Sequence, residues 1–145
     1  MKKNNMTIKD KEQELIEDFE MFEDWMDKYN FIIGVGKEMK DLPENYKNEN
    51  NLVSGCTSQV WLQSEFKDGK LYFKADSDAL IPKGIAAIVV KLYSGHTPGE
   101  IVVHKPEFIQ KIGLEQHLSP NRANGLASMI NKIKSEAQLI LNSKS

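Results

Sequence analysis

The chain has one cysteine in 145 residues, Cys56, set in the stretch SGCTSQVWL. Such a thiol is either a small apolar filler or, as its thiolate, a nucleophile and sulfur-exchange group. It can form no internal disulfide and no structural zinc site built from several thiolates. Gly55 lets the chain bend sharply and admits another molecule closely, whereas a packing cysteine would more naturally occupy the inward face of a strand or helix. Context therefore favours chemistry. Arg122 is a second candidate, because it falls in the first turn of a helix begun by Ser119-Pro120, where a cation opposes the helix dipole. It reads equally as a site residue and as a solvated arginine that costs about a few tenths of a kcal/mol. Gly125, one turn on, costs up to about 1 kcal/mol against alanine and points to a close helix contact. The three histidines, His96, His104 and His117, lack the i, i+4 spacing of metal ligands, and no cysteine-protease signature surrounds Cys56.

The elements that must position these residues follow from periodicity and caps. Val60 to Phe66 alternates, with Val60, Leu62 and Phe66 on one face, and Lys70 to Asp76 returns with Leu71, Phe73 and Ala75 on one face. Asp68-Gly69 between them is a two-residue hairpin signal. If Lys67 opposes Lys70, then Phe66 meets Leu71 and Leu62 meets Ala75, which keeps the apolar residues together. The same register brings the loop of Cys56 beside Ser77 and Asp78. Either residue could cap a following helix through IPKGIAAIVVKLY, with Pro82 tolerated only in its first turn. That helix start favours an anionic sulfur, whereas Asp76 and Asp78 disfavour one, so the thiol's pKa stays open.

At the N-terminal end, Thr7 and Asp10 form a capping box, and Leu15, Phe19, Phe22 and Met26 recur at helical spacing. Glu12, Glu14, Glu17, Asp18, Glu20, Glu23, Asp24 and Asp27 read as the solvated face of that helix rather than a docking surface for a basic partner. Beyond Trp25, Gly34 and Gly36 argue against one straight helix, and LPENYKNENN is a polar loop. Thr97-Pro98-Gly99-Glu100 opens a short helix through Val103, another spans Glu107 to Ile112, and Leu126, Met129, Ile130, Ile133, Ala137 and Ile140 stripe the last. These elements describe one domain over residues 1–145, with a disordered lead over 1–6.

Charged residues make up 28% and apolar ones 40%, with a net charge of −2, which gives no electrostatic reason to expect nucleic acid or an anionic membrane. The basic start runs into Asn4 and Asn5 rather than an apolar segment, and Ile85 to Val90 is far too short to span a bilayer. A cytosolic protein is expected.

SGCTSQVWL, ADSDA followed by KG, LSPNRANGL and the earlier W…KY…II…G resemble, in the same order, the SufE-like family of sulfur acceptors, over about Leu15 to Ile133. The resemblance implies an α+β fold, a small antiparallel sheet packed against helices and shared with the iron–sulfur scaffold family (IscU-like). It implies that Cys56 rides on the tip of a loop resting against an apolar cavity and swings out to a SufS-like cysteine desulfurase. The cysteine would take persulfide sulfur there and pass it to a SufB-type scaffold. Pyridoxal phosphate would belong to the desulfurase, and this chain would bind no cofactor or metal. Gly55 and Gln59, within the cysteine motif, and Asp78, His117 and Arg122, on the other motifs, are candidates for shaping the loop or the partner interface. Pro82 and the polar lead depart from the family pattern and leave helix boundaries there open. A homodimer stays open, and the rival reading is a stand-alone cysteine hydrolase or thiol redox protein.

Overall fold

Caps and apolar stripes define most of the elements in the computed structural model, which describes residues 6–143. The disordered lead expected over 1–6 lies outside the described residues except for Met6. The capping box forms as expected: Thr7 Oγ1 accepts from Asp10 N at 3.0 Å and Asp10 returns the contact to Thr7 N, opening α1 (Ile8–Glu20). The helix does not continue to Met26. It stops at Glu20, and Asp24 caps a second helix, α2 (Trp25–Glu38), by accepting from Met26 N at 2.8 Å. An N-cap breaks the periodicity, and the rings of Phe19 and Phe22 then both pack against Phe31 as the chain folds back. Met26 is 64% exposed, and the buried stripe of α1 is Ile8, Glu12, Ile16 and Phe19. Glu12 is thus a correction to the solvated-face reading, because His104 and Phe108 receive its carboxylate inside the protein.

Gly34 and Gly36 do not interrupt α2 either. Gly36 is a packing notch: a Cβ there would lie 2.8 Å from the backbone N of Gly84. That backbone contact seats α2 on α3 (Leu80–Tyr93), whose run from Gly84 to Val89 is buried on all sides. Any side chain at Gly84 would meet Ile32 O at 2.2 Å and force the helices apart. Ala79 occupies the N-cap of α3 without a side-chain bond, so neither Ser77 nor Asp78 caps it. Pro82 is its third residue, where the missing N–H is one of the orphan donors of the first turn.

Strands β1 (Val60–Lys67) and β2 (Lys70–Ser77) pair antiparallel in the expected register, with Phe66 on Leu71, Leu62 on Ala75 and Lys67 on Lys70. Asp68 and Gly69 both take positive φ, as their turn requires. Three short helices follow, α4 (Pro98–Val103), α5 (Phe108–Ile112) and α6 (Leu114–His117), and then the long α7 (Pro120–Ser143). The last short helix had no sequence signal of its own beyond Gly113, which turns at φ +87°. The fold is α+β, a small antiparallel sheet against helices, and its apolar cluster draws on both strands and all seven helices among the described residues. Each large side chain closed into it, such as Phe19, Leu62 or Phe108, contributes about 1.5–3 kcal/mol of apolar burial.

Candidate functional site

Cys56 sits on a loop whose two stems are fastened. Before it, Asn51 to Val53 pair with the free edge of β1: Val53 N donates to Val60 O and Leu62 N to Asn51 O, both at 2.8 Å. After it, Gln59 O accepts from Ser77 Oγ at 2.7 Å and from Asp78 N at 3.3 Å, which ties the loop to the end of β2. Gly55 turns the tip at φ +84°, and a Cβ there would stand 2.9 Å from Ser128 Oγ on α7. A larger residue would therefore meet strain in the backbone and a neighbour in space.

The loop lays the sulfur on α7. A Cβ at Gly125 would lie 3.2 Å from Cys56 Sγ, so the glycine provides the room in which the thiol rests. Beside it opens a cavity of about 340 Å3. Val60, Ile85 and Met129 give it apolar walls, Pro82 brings in the first turn of α3, and Ser119, Asn121 and Arg122 bring in the start of α7. Cys56 is half-buried, and its sulfur makes no hydrogen bond among the described residues. Burial pushes its thiol pKa up, because a thiolate there would lose water. At rest the group is therefore a protonated thiol, and its nucleophilic form is favoured only when water reaches it.

A family description, "SufE: Fe-S metabolism associated domain", matches residues 13–137. The chain belongs to the SufE family. It is 42% identical over 130 residues to an uncharacterized SufE-like protein of Rhizobium meliloti, covering 86% of this chain and 93% of that one. A SufE-like protein of Synechocystis sp. is 34% identical over 133 residues, 92% and 84% of the two chains. The solution structure of a hypothetical protein from Thermus thermophilus shares the fold, with a TM-score of 0.73 over 91% of this chain and 96% of that one at 18% identity. Membership of the SufE family ties the chain to iron–sulfur metabolism and implies interaction with a cysteine desulfurase. Among the described residues no helix is long and apolar enough to cross a membrane.

Within this SufE fold the expected site residues separate into two groups. Cys56 and Arg122 line one cavity, with Gly125 between them and Gly55 at the loop tip. Gln59 acts through its backbone carbonyl, and its exposed side chain does not line the cavity. Asp78 is exposed and also off the cavity. His117 lies elsewhere: its ring stacks on Trp25 at 4.0 Å between centroids, and its carbonyl accepts from Tyr29 Oη.

Asp76 does not act as the repelling charge expected beside the thiol. It is 3% exposed, and its carboxylate is taken up by Lys47 and Lys83 at 3.4 and 3.3 Å and by two backbone N–H groups. Burial alone would raise its pKa, but the N–H groups of Leu42 and Ser77 and the Lys83 ammonium outweigh it and hold the carboxyl below the usual value. Ile85 and Met129 are site residues that pattern reading had no reason to separate from the core, and Pro82 stood out only as a proline in a helix's first turn. Only their place against the one thiol distinguishes them.

Proposed function

We propose that the protein is a sulfur carrier: Cys56 takes persulfide sulfur from a SufS-like cysteine desulfurase, stimulates that enzyme, and yields the sulfur to a SufB-type scaffold. The observation that supports this best is the chain's single thiol, held by a loop against a cavity of about 340 Å3 with no hydrogen bond on its sulfur among the described residues. Pyridoxal phosphate on the partner frees sulfur from L-cysteine and leaves a persulfide there. This chain supplies the acceptor thiol only.

The transfer is an exchange. The Cys56 thiolate attacks the terminal sulfur of the partner's Cys–S–SH; an S–S bond forms to Cys56, the partner's S–S bond breaks, and its electron pair leaves on the partner's thiolate. No external oxidant or reductant enters. Burial keeps the resting thiol protonated, so a loop that hinges between its fastened stems and carries Cys56 into water also lowers its pKa. One movement exposes and activates the nucleophile. On return, the cavity accommodates the added sulfur, with Arg122 at its lining to meet the anion. Among the described residues no histidine lines the cavity, so a hydrolase dyad finds no imidazole base there.

The test combines mass and rate. Incubation with a cysteine desulfurase and L-cysteine should add about 32 Da, one sulfur, to Cys56. Cys56→Ser should gain no mass and should no longer accelerate sulfide release. Undiminished stimulation by Cys56→Ser would overturn the reading.

A further inference from the structure

We infer that Asp76 is a positioning residue for Cys56: its carboxylate clamps the segment that delivers the cysteine loop to the first turn of the helix that walls the cavity. The meaning of this inference for function rests on the sulfur-carrier reading; its geometry does not.

Alternation along β2 gives the first sign. Leu71, Phe73 and Ala75 point inward, while Tyr72 and Lys74 on the other face are exposed. Asp76 shares that outer face yet is buried, so something has been laid over it. The cover is the chain that leaves α2. Asp76 Oδ2 accepts from Leu42 N at 2.9 Å and meets Lys47 Nζ at 3.4 Å, just past the 3₁₀ turn Glu44–Tyr46. Lys47 also stands 5.4 Å from the ring centre of Trp61, the residue paired with Asp76 across the hairpin. Oδ1 meets Lys83 Nζ at 3.3 Å, and Lys83 reaches on to Asp41 at 2.7 Å.

One carboxylate thus gathers contacts from the exit of α2, the polar loop and α3. The loop has little regular structure beyond its 3₁₀ turn and the pairing of residues 51–53 with β1, and three residues after Val53 comes Cys56. Lys83 follows Pro82 and precedes Ile85, two residues of the cavity wall. Asp76 itself does not line the cavity, and its carboxylate's partners among the described residues are Leu42, Lys47, Ser77 and Lys83 rather than the sulfur. It acts through the two pieces that bracket them. A buried charge is costly unless fully partnered, and here every partner belongs to one of those pieces or to the strand end itself.

Asp76→Asn keeps the shape and an acceptor for Leu42 N but loses the attraction of both lysines. The loop should sit less firmly, and the sulfur should spend more time in water. Alkylation of native Cys56 by iodoacetamide at pH 8 should rise about threefold or more, with its pH profile moved down toward that of the unfolded chain. Ile16→Val, in the core of α1, should lower stability without changing either readout, which separates positioning from general loosening. Lys83→Met, which leaves Lys47 and both N–H groups on Asp76, should reproduce a smaller part of the change and serves if Asp76→Asn does not fold. Wild-type alkylation rate and profile in the folded variant would overturn the inference. Failure of wild-type protein to take up sulfur from any desulfurase would instead overturn the sulfur-carrier reading, and the alkylation result would stand.

Discussion

Two regions of this molecule bury polar groups and treat them in opposite ways. In the first, Glu12 of α1 meets His104 Nε2 at 3.1 Å and accepts from Phe108 N at 2.8 Å, and His104 Nδ1 bonds Tyr93 Oη at 2.8 Å. Lys134 of α7 donates to the carbonyls of Val102 and His104 beside them. Every side-chain polar atom of Glu12, His104 and Tyr93 finds a partner, and five helices, α1, α3, α4, α5 and α7, are joined through the cluster. In the second region, Cys56 rests against an open cavity on a loop with positive φ at its tip, and nothing described bonds its sulfur. Satisfied polar networks rigidify a core, whereas regions with few fixed contacts open at low cost. The difference marks which region of the molecule holds the fold and which can move.

The comparison breaks most severely at Glu12. Glu12→Ala strands Phe108 N and one ring nitrogen of His104 inside the protein, a loss of about 3–5 kcal/mol in line with a buried pair deprived of one member. Urea unfolding should show it, and Glu12→Gln should recover part by restoring a neutral acceptor. Cys56 alkylation in the variant that remains folded should match wild type. A change in thiol reactivity as large as the change in stability would mean that the two regions are one mechanical unit.

A smaller effect belongs to Gly55. Alanine at φ +84° pays the left-handed penalty of about 1–2 kcal/mol and also presses on Ser128 Oγ at 2.9 Å. Adding Ser128→Ala should relieve the contact and leave the backbone cost, so the double variant should be more stable than Gly55→Ala alone. Unlike the Glu12 variants, both should change the alkylation rate of Cys56. If they shifted stability alone, the loop tip would not control the thiol.

Much of this division was legible in the residues, and the failures have a common cause. Asp68-Gly69 and two alternating runs sufficed for the hairpin register, because turn chemistry and the pleat constrain the same pairing. Cys56, Gly125 and Arg122 each broke a local rule, and the structure gathers all three at one cavity. The break between α1 and α2 was hidden, since Phe22 and Met26 prolong the helical spacing and Asp24 is one acid among many. Glu12 was hidden for the same reason. Its burial is decided by His104 and Phe108, 92 and 96 residues away, which no window on the helix contains. Asp76 looked like a charge facing the thiol because the lysines that absorb it lie in a loop and a helix, beyond the reach of strand alternation. Local signals located the elements and the odd residues; long-range pairing decided which charges went inside.

The smallest change in stability should come with the sharpest change in chemistry, at Gly125. Alanine gains about 1 kcal/mol of helix propensity, which offsets a Cβ placed 3.2 Å from Cys56 Sγ, so unfolding free energy should move by less than about 1 kcal/mol. The sulfur must give way by a few tenths of an ångström, and on a loop whose tip makes no hydrogen bond among the described residues it gives way toward water. In wild type the buried thiol titrates above its ordinary value of 9.0, so its contribution to stability is fully present below the unfolded thiol's pKa and is lost as pH rises through the folded one. Alkylation of the native protein should accordingly inflect at higher pH than that of the unfolded chain. Gly125→Ala should draw the two inflections together. An unchanged native inflection would show that the sulfur is not held against α7, and the contrast between a closed polar cluster and a releasable thiol would lose its physical basis.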